Sequence, residues 1–208
     1  MNVRNKPLPK NNLWGLTDGF ILASGSPQRF RLLECAGFTP TEVITADIDE
    51  TPQKGELPAR YVKRIAIEKA KAVAAKHEGC CVLAADTVIA IGKRIIRKAE
   101  NAEQARKNLE LLSGRRHRVI TGFCVIAPDG REIAKVVQTA VILKHFDRVD
   151  IDAIIHSEEW RNVAGYRIEG VLSACVREII GSHPNIVGLP IFEVAQVLKG
   201  VLRKNENP

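Results

Sequence analysis

The chain has 208 residues, with 31 Lys and Arg against 24 Asp and Glu, a formal net charge of +7 and 45% hydrophobic residues. This composition is typical of a globular protein, and the length suffices for a sizeable core in one large domain or two lobes. No apolar run approaches transmembrane length, and no run of six like charges occurs. These features argue against a membrane partner, and they favour a phosphate-bearing small molecule over nucleic acid as the partner of the positive charge.

The five cysteines are odd in number and contain no C-x-x-C spacing, which argues against a disulfide framework or a zinc site. Each lies in an apolar context, so we expect buried, reduced thiols and a cytoplasmic location. The first twelve residues are polar and contain proline, unlike a signal peptide. We expect residues 1–19 to be a loose extension, 20–200 a single two-lobed domain and 201–208 a tail.

Hydrophobic periodicity and turn residues predict a chain of mixed strands and helices. In chain order these are a strand at 20–23, a helix at 27–36, a strand at 42–45, a helix at 58–77, strands at 81–85 and 88–91, a helix at 101–112, strands at 118–127 and 132–143, a helix at 150–155, a strand at 174–180 and a helix at 190–199. Pro128-Asp129-Gly130 predicts a hairpin between the two longest strands. The pattern indicates an α/β or α+β fold.

The junction of the first strand and helix is the most informative segment. Ser24-Gly25-Ser26 is a small polar loop, and Pro27 suits the first position of a helix. Ser24 or Ser26 can cap that helix. A helix that opens on free N–H groups, two hydroxyls and an arginine, Arg29, is typical of an anion site, and phosphate is the commonest such anion.

Lys69 lies on the buried side of the second helix, seven residues after Val62 and four after Ile65. An ammonium group buried there needs an anionic partner, because an unpaired buried charge is costly. The alternative is a lysine that snorkels to the rim of the core. The same spacing predicts that nearby Arg64 is solvated.

Two acidic segments are candidates for chemistry. Asp86 follows the predicted strand 81–85, and α/β proteins bind their ligands beyond the carboxyl ends of such strands. Asp86 can act there as a general base, as a metal ligand or as a cap of the next turn. Asp47, Asp49 and Glu50 form a cluster of oxygen ligands that suits magnesium. The alternative for this cluster is a solvated acidic loop.

Several segments, in order, resemble the Maf family of nucleoside triphosphate pyrophosphatases. They are Ser24-Gly25-Ser26-Pro27-Gln28-Arg29, Asp47-Ile48-Asp49-Glu50-Thr51, the helix around Lys69, Ala85-Asp86-Thr87-Val88, Leu112-Ser113-Gly114 with His117-Arg118-Val119 and Thr121-Gly122, and Ile186-Val187-Gly188-Leu189-Pro190. Motifs in the right order over nearly the whole chain are far more specific than any single motif.

The resemblance implies a long, twisted mixed sheet with two α/β lobes flanking a nucleotide cleft, as in Maf and ITPase-like proteins. It also implies hydrolysis of a nucleoside triphosphate, modified or non-preferred, to the monophosphate and pyrophosphate. Asp86 would accept a proton from the attacking water, and with Glu50 it would hold a divalent metal, Mg²⁺ or Mn²⁺. The groups implied to hold the triphosphate are Ser26, Arg29, Lys69 and Lys98.

In the family, three positions help to select the base of the nucleotide. The matching residues of this chain point to different bases. Thr87 is similar to the dTTP/UTP branch, whereas Glu169 is more similar to the 7-methyl-GTP branch and lies in a segment one residue shorter than the family pattern. Gln28 replaces the first arginine of the family's S-P-R-R and matches neither branch well. A carboxylate only accepts hydrogen bonds, so Glu169 would favour a base edge with two N–H donors, such as guanine. The base preference is therefore open between these branches.

Two other functions compete with the enzyme. The altered Gln28 and the short segment at Glu169 are compatible with a catalytically weak, nucleotide-binding regulator of cell division. The basic turn 114–118 and the net charge are compatible with a nucleic-acid-binding module, whose affinity would fall steeply with salt. We expect a symmetric homodimer, because such dimers are the commonest oligomers.

Overall fold

A computed structural model describes residues 13–16, 18–161, 163 and 166–203, and its seven strands form one mixed sheet in the order β2-β1-β3-β5-β6-β7, with β4 paired to β3. The strands are β1 (Phe20–Ala23), β2 (Glu42–Val43), β3 (Cys81–Ile91), β4 (Arg94–Ile96), β5 (Arg116–Ile126), β6 (Glu132–Leu143) and β7 (Val176–Ile180). The helices are α1 (Pro27–Cys35), α2 (Pro58–Ala74), α3 (Ala102–Leu112), α4 (Arg148–His156), α5 (His183–Val187) and α6 (Ile191–Leu202). The predicted mixed α/β class is confirmed.

Strand β3 organises the sheet. One edge of β3 pairs antiparallel with β5 from Val82 to Ala90. The other edge pairs parallel with β1 only as far as Ala84, and antiparallel with β4 only from Ile89 onward. Within the described part of the chain, residues 85–88 of β3 therefore have no strand beside them on this side. We call this stretch the edge gap.

Two hydrophobic cores lie on one face of the sheet. The first packs α1 and α6 against β1, β3 and β5, with Leu33, Phe123 and Leu198 fully buried. The second packs α3 and α4 against the far ends of β3, β5 and β6, with Leu112 and Ile154 buried. Strands β3 and β5 run through both cores, and the division of the chain into two lobes stays a prediction. Helix α2 covers the opposite face of the sheet.

Three threonines separate the two cores. Because side chains alternate along a strand, Thr87 lies between Ala85 of the first core and Ile89 of the second. Thr121 in β5 is the register partner of Thr87, and Thr139 occupies the same boundary in β6. Thr121 and Thr139 are fully buried. We call this row, Thr87, Thr121 and Thr139, the threonine seam.

The helix starts and the hairpin follow local sequence rules and are confirmed. Pro27 and Pro58 stand in the first turns of α1 and α2, where proline costs no hydrogen bond. Strands β5 and β6 pair antiparallel across the turn at Gly130, whose φ is +84°. Gly130 donates from its N–H to the carbonyl of Ala127, which closes the turn.

Other boundaries differ from the sequence prediction. The two strands predicted at 81–85 and 88–91 are one strand, because Asp86 and Thr87 continue the ladder with β5 opposite Gly122 and Thr121. Asp86 therefore caps no turn. The predicted strand 42–45 is only Glu42–Val43, and the sequence analysis missed both β4 and α5.

The cysteine prediction is only partly right. Cys81, Cys124 and Cys175 are buried free thiols, and burial raises the pKa of Cys81 and of Cys124 to about 12. Cys35 and Cys80 are exposed free thiols, because Cys35 ends α1 on its outer side and Cys80 lies in the turn before β3.

The terminal segments fall partly outside the described residues, namely 1–12 and 204–208. Trp14 stacks on Phe38, donates from Nε1 to the carbonyl of Ala36 over 2.7 Å and lies under the ammonium of Lys199. Among the helices that the structure describes, none has the length and apolarity needed to cross a bilayer.

Candidate active site

Two groups of polar side chains meet at the edge gap, one on each face of the sheet. Asp86 and Thr87 are neighbours in β3, so their side chains leave on opposite faces. Asp86 meets Lys69 of α2, and Thr87 meets Arg29 of α1. Since β1 ends beside this point and β4 has not yet begun, a ligand can reach both groups across the open strand edge.

Lys69 carries the first group. Its Nζ lies 2.9 Å from Oε1 of Glu50 and 3.0 Å from Oδ1 of Asp86, and only 11% of the side chain is exposed. These carboxylates are the anionic partners that the position of Lys69 requires. Gly122 makes the contact feasible, because α2 lies directly on β5 there and a Cβ on Gly122 would clash with the carbonyl of Val62.

Only one residue of the acidic cluster takes part in this group. Glu50 reaches Lys69, whereas Asp49 accepts from the N–H of Thr51 over 2.8 Å. Hydrogen bonds from Thr51 lower the pKa of Asp49 below its ordinary value. Asp47 is exposed. The cluster predicted from the sequence is thus reduced to Glu50.

Two side chains of α2 fasten the loop that carries Glu50. Tyr61 donates from Oη to the carbonyl of Glu50 over 2.9 Å, and Arg64 donates from Nη2 to the carbonyl of Thr51 over 3.1 Å. Burial, reinforced by the charges of Asp86 and Glu50, raises the pKa of Tyr61 to about 12. Arg64 also pairs with Glu56 over 2.8 Å, which contradicts the prediction that it is solvated.

Arg29 carries the second group, and three of its N–H groups are held by the protein. Nε donates to the carbonyl of Gly188 (2.9 Å), Nη1 to Oγ of Ser24 (3.0 Å) and Nη2 to Oγ1 of Thr87 (3.2 Å). A guanidinium has five N–H donors, so one remains on each terminal nitrogen. A pair of terminal N–H donors of this kind, which we call the Arg29 fork, can bind two oxygens of one phosphate. Burial lowers the pKa of Arg29 below its usual value, and the charges of Asp86 and Glu50 oppose that shift.

The loop before α1 differs in one respect from the prediction. Ser26 is the N-cap residue by position, but its hydroxyl donates to Oε1 of Gln28 over 3.2 Å and caps no backbone N–H. Ser24 receives the N–H of Ser26 and an N–H of Arg29. The first N–H groups of α1 therefore lack a side-chain cap, which suits a phosphate at this helix end.

Comparison with known proteins agrees with this geometry. A sequence model of the family described as Maf-like protein matches residues 19–201. The chain belongs to the Maf family.

Curated Maf relatives match over almost the same span. A protein named dTTP/UTP pyrophosphatase from Paramagnetospirillum magneticum is 51% identical over 181 residues, which is 86% of this chain and 95% of the relative. A protein of the same name from Caulobacter vibrioides is 46% identical, covering 87% of this chain and 94% of the relative. Two solved structures are similar to part of this chain. The nucleoside-triphosphatase, dITP/XTP pyrophosphatase, of Mycobacterium abscessus is 19% identical, with a TM-score of 0.40 over 61% of this chain and 73% of that one. The Staphylococcus aureus Ham1 protein is 20% identical, with a TM-score of 0.44 over 61% of this chain and 72% of that one.

Two residues that the sequence analysis assigned to the Maf site stand apart from both groups. Lys98 follows β4 and Glu169 precedes the short 3₁₀ turn Val171–Cys175; both are exposed. Within the described ranges neither makes a hydrogen bond or ion pair to the groups at the edge gap. Ala164 and Gly165 of the segment leading to Glu169 lie outside the described residues.

The carboxylates of this Maf chain fit a metal that shares its ligands with a substrate. Glu50 and Asp86 already converge on one cation, the ammonium of Lys69. No set of three or more His, Cys, Asp and Glu side chains in the described ranges is arranged to hold a metal. Mg²⁺ is commonly bound through one or two carboxylates together with phosphate oxygens and water, so two converging carboxylates suffice.

Sequence reasoning missed four residues of this Maf site. Tyr61 lies on the same helical face as Lys69, eight residues earlier, and that spacing could have indicated it. Thr121 and Gly188 lie in segments of the family pattern that assign them no role, and Asn185 lies just before such a segment. Their contacts join distant segments, and no local pattern indicates such contacts.

Proposed function

We propose that this chain hydrolyses nucleoside triphosphates to the nucleoside monophosphate and pyrophosphate. One observation carries the proposal: Lys69 lies between Glu50 and Asp86 at the same edge gap where Arg29 presents two N–H donors. Anion donors and paired carboxylates at one open strand edge suit a polyphosphate with its metal. The names of the curated relatives support the same activity.

The triphosphate lies in this proposal against α1 and the Arg29 fork. The uncapped N–H groups of α1 and the two remaining N–H groups of Arg29 donate to its oxygens. The hydroxyl of Ser26 joins them by exchanging its bond to Gln28 for one to a phosphate oxygen. Lys69 and Lys98 add positive charge and offset the charge that develops on the departing pyrophosphate. Lys98 is exposed and contacts neither group in the described part of the chain, so its proposed contact is with the substrate alone.

Asp86 is the proposed proton acceptor. Its Oδ1 is engaged by Lys69, and in the described part of the chain no hydrogen bond occupies Oδ2. Water attacks the α-phosphorus, the bond from that phosphorus to the bridging oxygen breaks, and pyrophosphate leaves with this oxygen. The proton of the water passes to Asp86. Lys69 holds the carboxylate in place during this transfer.

Glu50 and Asp86 would hold the divalent metal, Mg²⁺ or Mn²⁺. When bound, the metal neutralises phosphate charge and acts as a Lewis acid. Glu50 is positioned by its loop, which Tyr61 holds, and Asp86 is positioned by the pairing of β3 with β5.

We assign dTTP and UTP as the preferred substrates. Three curated relatives of this name are 46–51% identical to this chain, and Thr87 of this chain resembles the dTTP/UTP branch of the family pattern. Thr87 is locked between Arg29 and the carbonyl of Gly188, beside the proposed phosphate position. Glu169 is the residue that opposes this assignment, and its contribution is tested separately below.

Pyrophosphate release from dTTP, UTP, CTP, GTP and 7-methyl-GTP, with Mg²⁺ or Mn²⁺, tests the proposal. Wild type is expected to release pyrophosphate only with metal, and fastest from dTTP or UTP. Asp86→Asn is expected to be slower by about 10²- to 10⁴-fold, the usual contribution of general base catalysis. Asp49→Asn is the matched control, since the Asp49 carboxylate bonds its own loop. Binding without release from any nucleotide would refute the enzyme and support the regulator.

A further inference from the structure

Behind Arg29 a chain of hydrogen bonds runs through the threonine seam. Thr87 receives an N–H of Arg29 on Oγ1 and lies 2.9 Å from Oγ1 of Thr121 and 3.2 Å from the carbonyl of Gly188. Thr121 in turn donates to the carbonyl of Asn185 over 3.3 Å. The guanidinium is thus supported by the hydroxyl of Thr87, and behind it by the hydroxyl of Thr121, which is fully buried.

The short helix α5 anchors the far end of this chain. Asn185 is fully buried and donates from Nδ2 to Oγ1 of Thr139 over 3.0 Å and to the carbonyl of Val119 over 3.3 Å. Thr139 donates to the carbonyl of Ser182, the residue before α5. Helix α5 is therefore tied to the seam at its start and its middle.

Helix α5 ends at the residue that holds Arg29. Gly188 adopts a φ of +129°, a backbone conformation that favours glycine, and its N–H donates to the carbonyl of Pro184 over 3.1 Å. This turn directs the carbonyl of Gly188 toward both Arg29 and Thr87. The seam thus reaches Arg29 by two routes, through the Thr87 hydroxyl and through α5, which ends at Gly188. Thr121 contacts the first route at Thr87 and the second at Asn185, in the middle of α5.

We propose that Thr121 is a positioning residue for Arg29. Its hydroxyl fixes Thr87 and α5 at once, so that the two remaining N–H groups of Arg29 point into the edge gap. The inference rests on the proposed function, because it assigns those N–H groups to the substrate triphosphate. Preorganised donors bind an anion, whether the bound substrate or the charge that develops in the transition state, more tightly than donors that must first be ordered.

The competing explanation is that the Thr121 hydroxyl only satisfies the core between the two lobes. A core role would lower stability and leave the contribution of Arg29 unchanged. A positioning role predicts that the effect of Thr121 disappears when Arg29 is absent. A double-mutant cycle separates these two roles, because it measures the coupling between the two side chains.

The test measures binding of two probes by calorimetry: the α,β-imido analogue of dUTP and inorganic tripolyphosphate. The variants are Thr121→Val, which keeps the shape and removes the hydroxyl, Thr121→Ser, which keeps the hydroxyl, Arg29→Ala, and Arg29→Ala combined with Thr121→Val. Thr41→Val is the matched control, because its hydroxyl bonds the carbonyl of Phe20 at the opposite end of β1. Thermal unfolding of every variant shows whether it is folded at the binding temperature.

We expect Thr121→Val to weaken both probes about fivefold, as for one lost buried hydrogen bond, and Thr121→Ser to bind within about twofold of wild type. In the Arg29→Ala background, Thr121→Val is expected to change binding less than about twofold. The same loss in both backgrounds, or wild-type binding by Thr121→Val, would overturn the inference. If no nucleotide is hydrolysed, the proposed function fails, while the tripolyphosphate cycle still decides the role of Thr121.

Discussion

The hydroxyl of Tyr61 donates to the backbone carbonyl of Glu50 over 2.9 Å, so a helix side chain sets the position of the loop that supplies a proposed metal ligand. Tyr61→Phe removes this bond and keeps the ring in the core. We expect Mn²⁺ to bind about fivefold more weakly in the presence of the imido analogue, since one hydrogen bond that orders the loop is lost.

Mn²⁺ titration followed by electron paramagnetic resonance measures the effect of Tyr61→Phe. Arg64, which also holds this loop, offers a comparison: Arg64→Met should weaken Mn²⁺ in the same direction through the carbonyl of Thr51. Unchanged Mn²⁺ affinity in Tyr61→Phe would mean that Arg64 and Lys69 alone position Glu50.

Lys69→Met should change metal binding and catalysis in opposite directions. The ammonium group occupies the position between Glu50 and Asp86 and competes with a metal for both carboxylates. Without nucleotide, we expect Mn²⁺ to bind roughly tenfold more tightly to Lys69→Met, because a competing charge within ion-pair distance is removed. Pyrophosphate release should fall by about 10²-fold, because a cation that offsets phosphate charge is lost.

The control for Lys69→Met is Lys63→Met, an exposed lysine on the same helix. It should leave both measurements unchanged. Weaker Mn²⁺ binding by Lys69→Met would show that Lys69 orders the carboxylates more than it competes for them.

Arg29→Lys should lower kcat/KM by about 10²-fold. A lysine is a point charge with three donors and cannot hold Ser24, Thr87 and Gly188 while presenting a two-pronged contact to phosphate. Arg31→Lys, on the exposed side of the same helix, is the matched control. Similar kinetics for the two variants would exclude Arg29 as the phosphate ligand.

Glu169→Gln tests the residue that opposes the dTTP/UTP assignment. An amide both donates and accepts, whereas a carboxylate only accepts, so the substitution should favour the imide edge of uracil or thymine. We expect the ratio of kcat/KM for UTP to that for 7-methyl-GTP to rise about tenfold. Glu178→Gln, exposed on β7, should leave the ratio unchanged. An unaltered ratio in Glu169→Gln would remove Glu169 from base selection.

His117 should make the protein less stable at acid pH. His117 is 1% exposed and bonded to Oη of Tyr166, and burial lowers its pKa from 6.5 to about 4. Between those values the unfolded chain binds a proton that the folded protein excludes. The free energy of unfolding should therefore decrease as the pH is lowered below about 6.5. By pH 4 this group should have reduced it by roughly 3 kcal/mol.

Urea unfolding at a series of pH values measures this effect. His117→Asn should flatten the part of the profile between pH 6.5 and 4 that is due to His117. His156→Asn, at an exposed position in α4, should keep the wild-type slope. An equal slope in wild type and His117→Asn would assign the acid sensitivity to other groups.

The local elements could be predicted because each depends on neighbours in the chain. Proline in the first turn sets the start of α1 and α2, the Asp-Gly turn pairs β5 with β6, and helical spacing places Lys69 on the buried side of α2. These rules need only the preferences of single residues and the periods of 3.6 and 2. They placed Asp86 at a strand end that does not exist, because β3 continues through this residue to Ile91.

The sequence by itself determined most of the elements, the family pattern and most of the site's residue types, because these follow from local propensity, periodicity and motif order. Only the tertiary structure decided how they meet. The edge gap exists because β1 ends at Ala23, opposite Ala84, while β3 continues to Ile91 and pairs with β4 only from Ile89. Arg29 is held by Gly188, which lies 159 residues away. The choice of Glu50 over Asp49 depends on Tyr61. Contacts at such separations depend on packing, which leaves no period in the sequence.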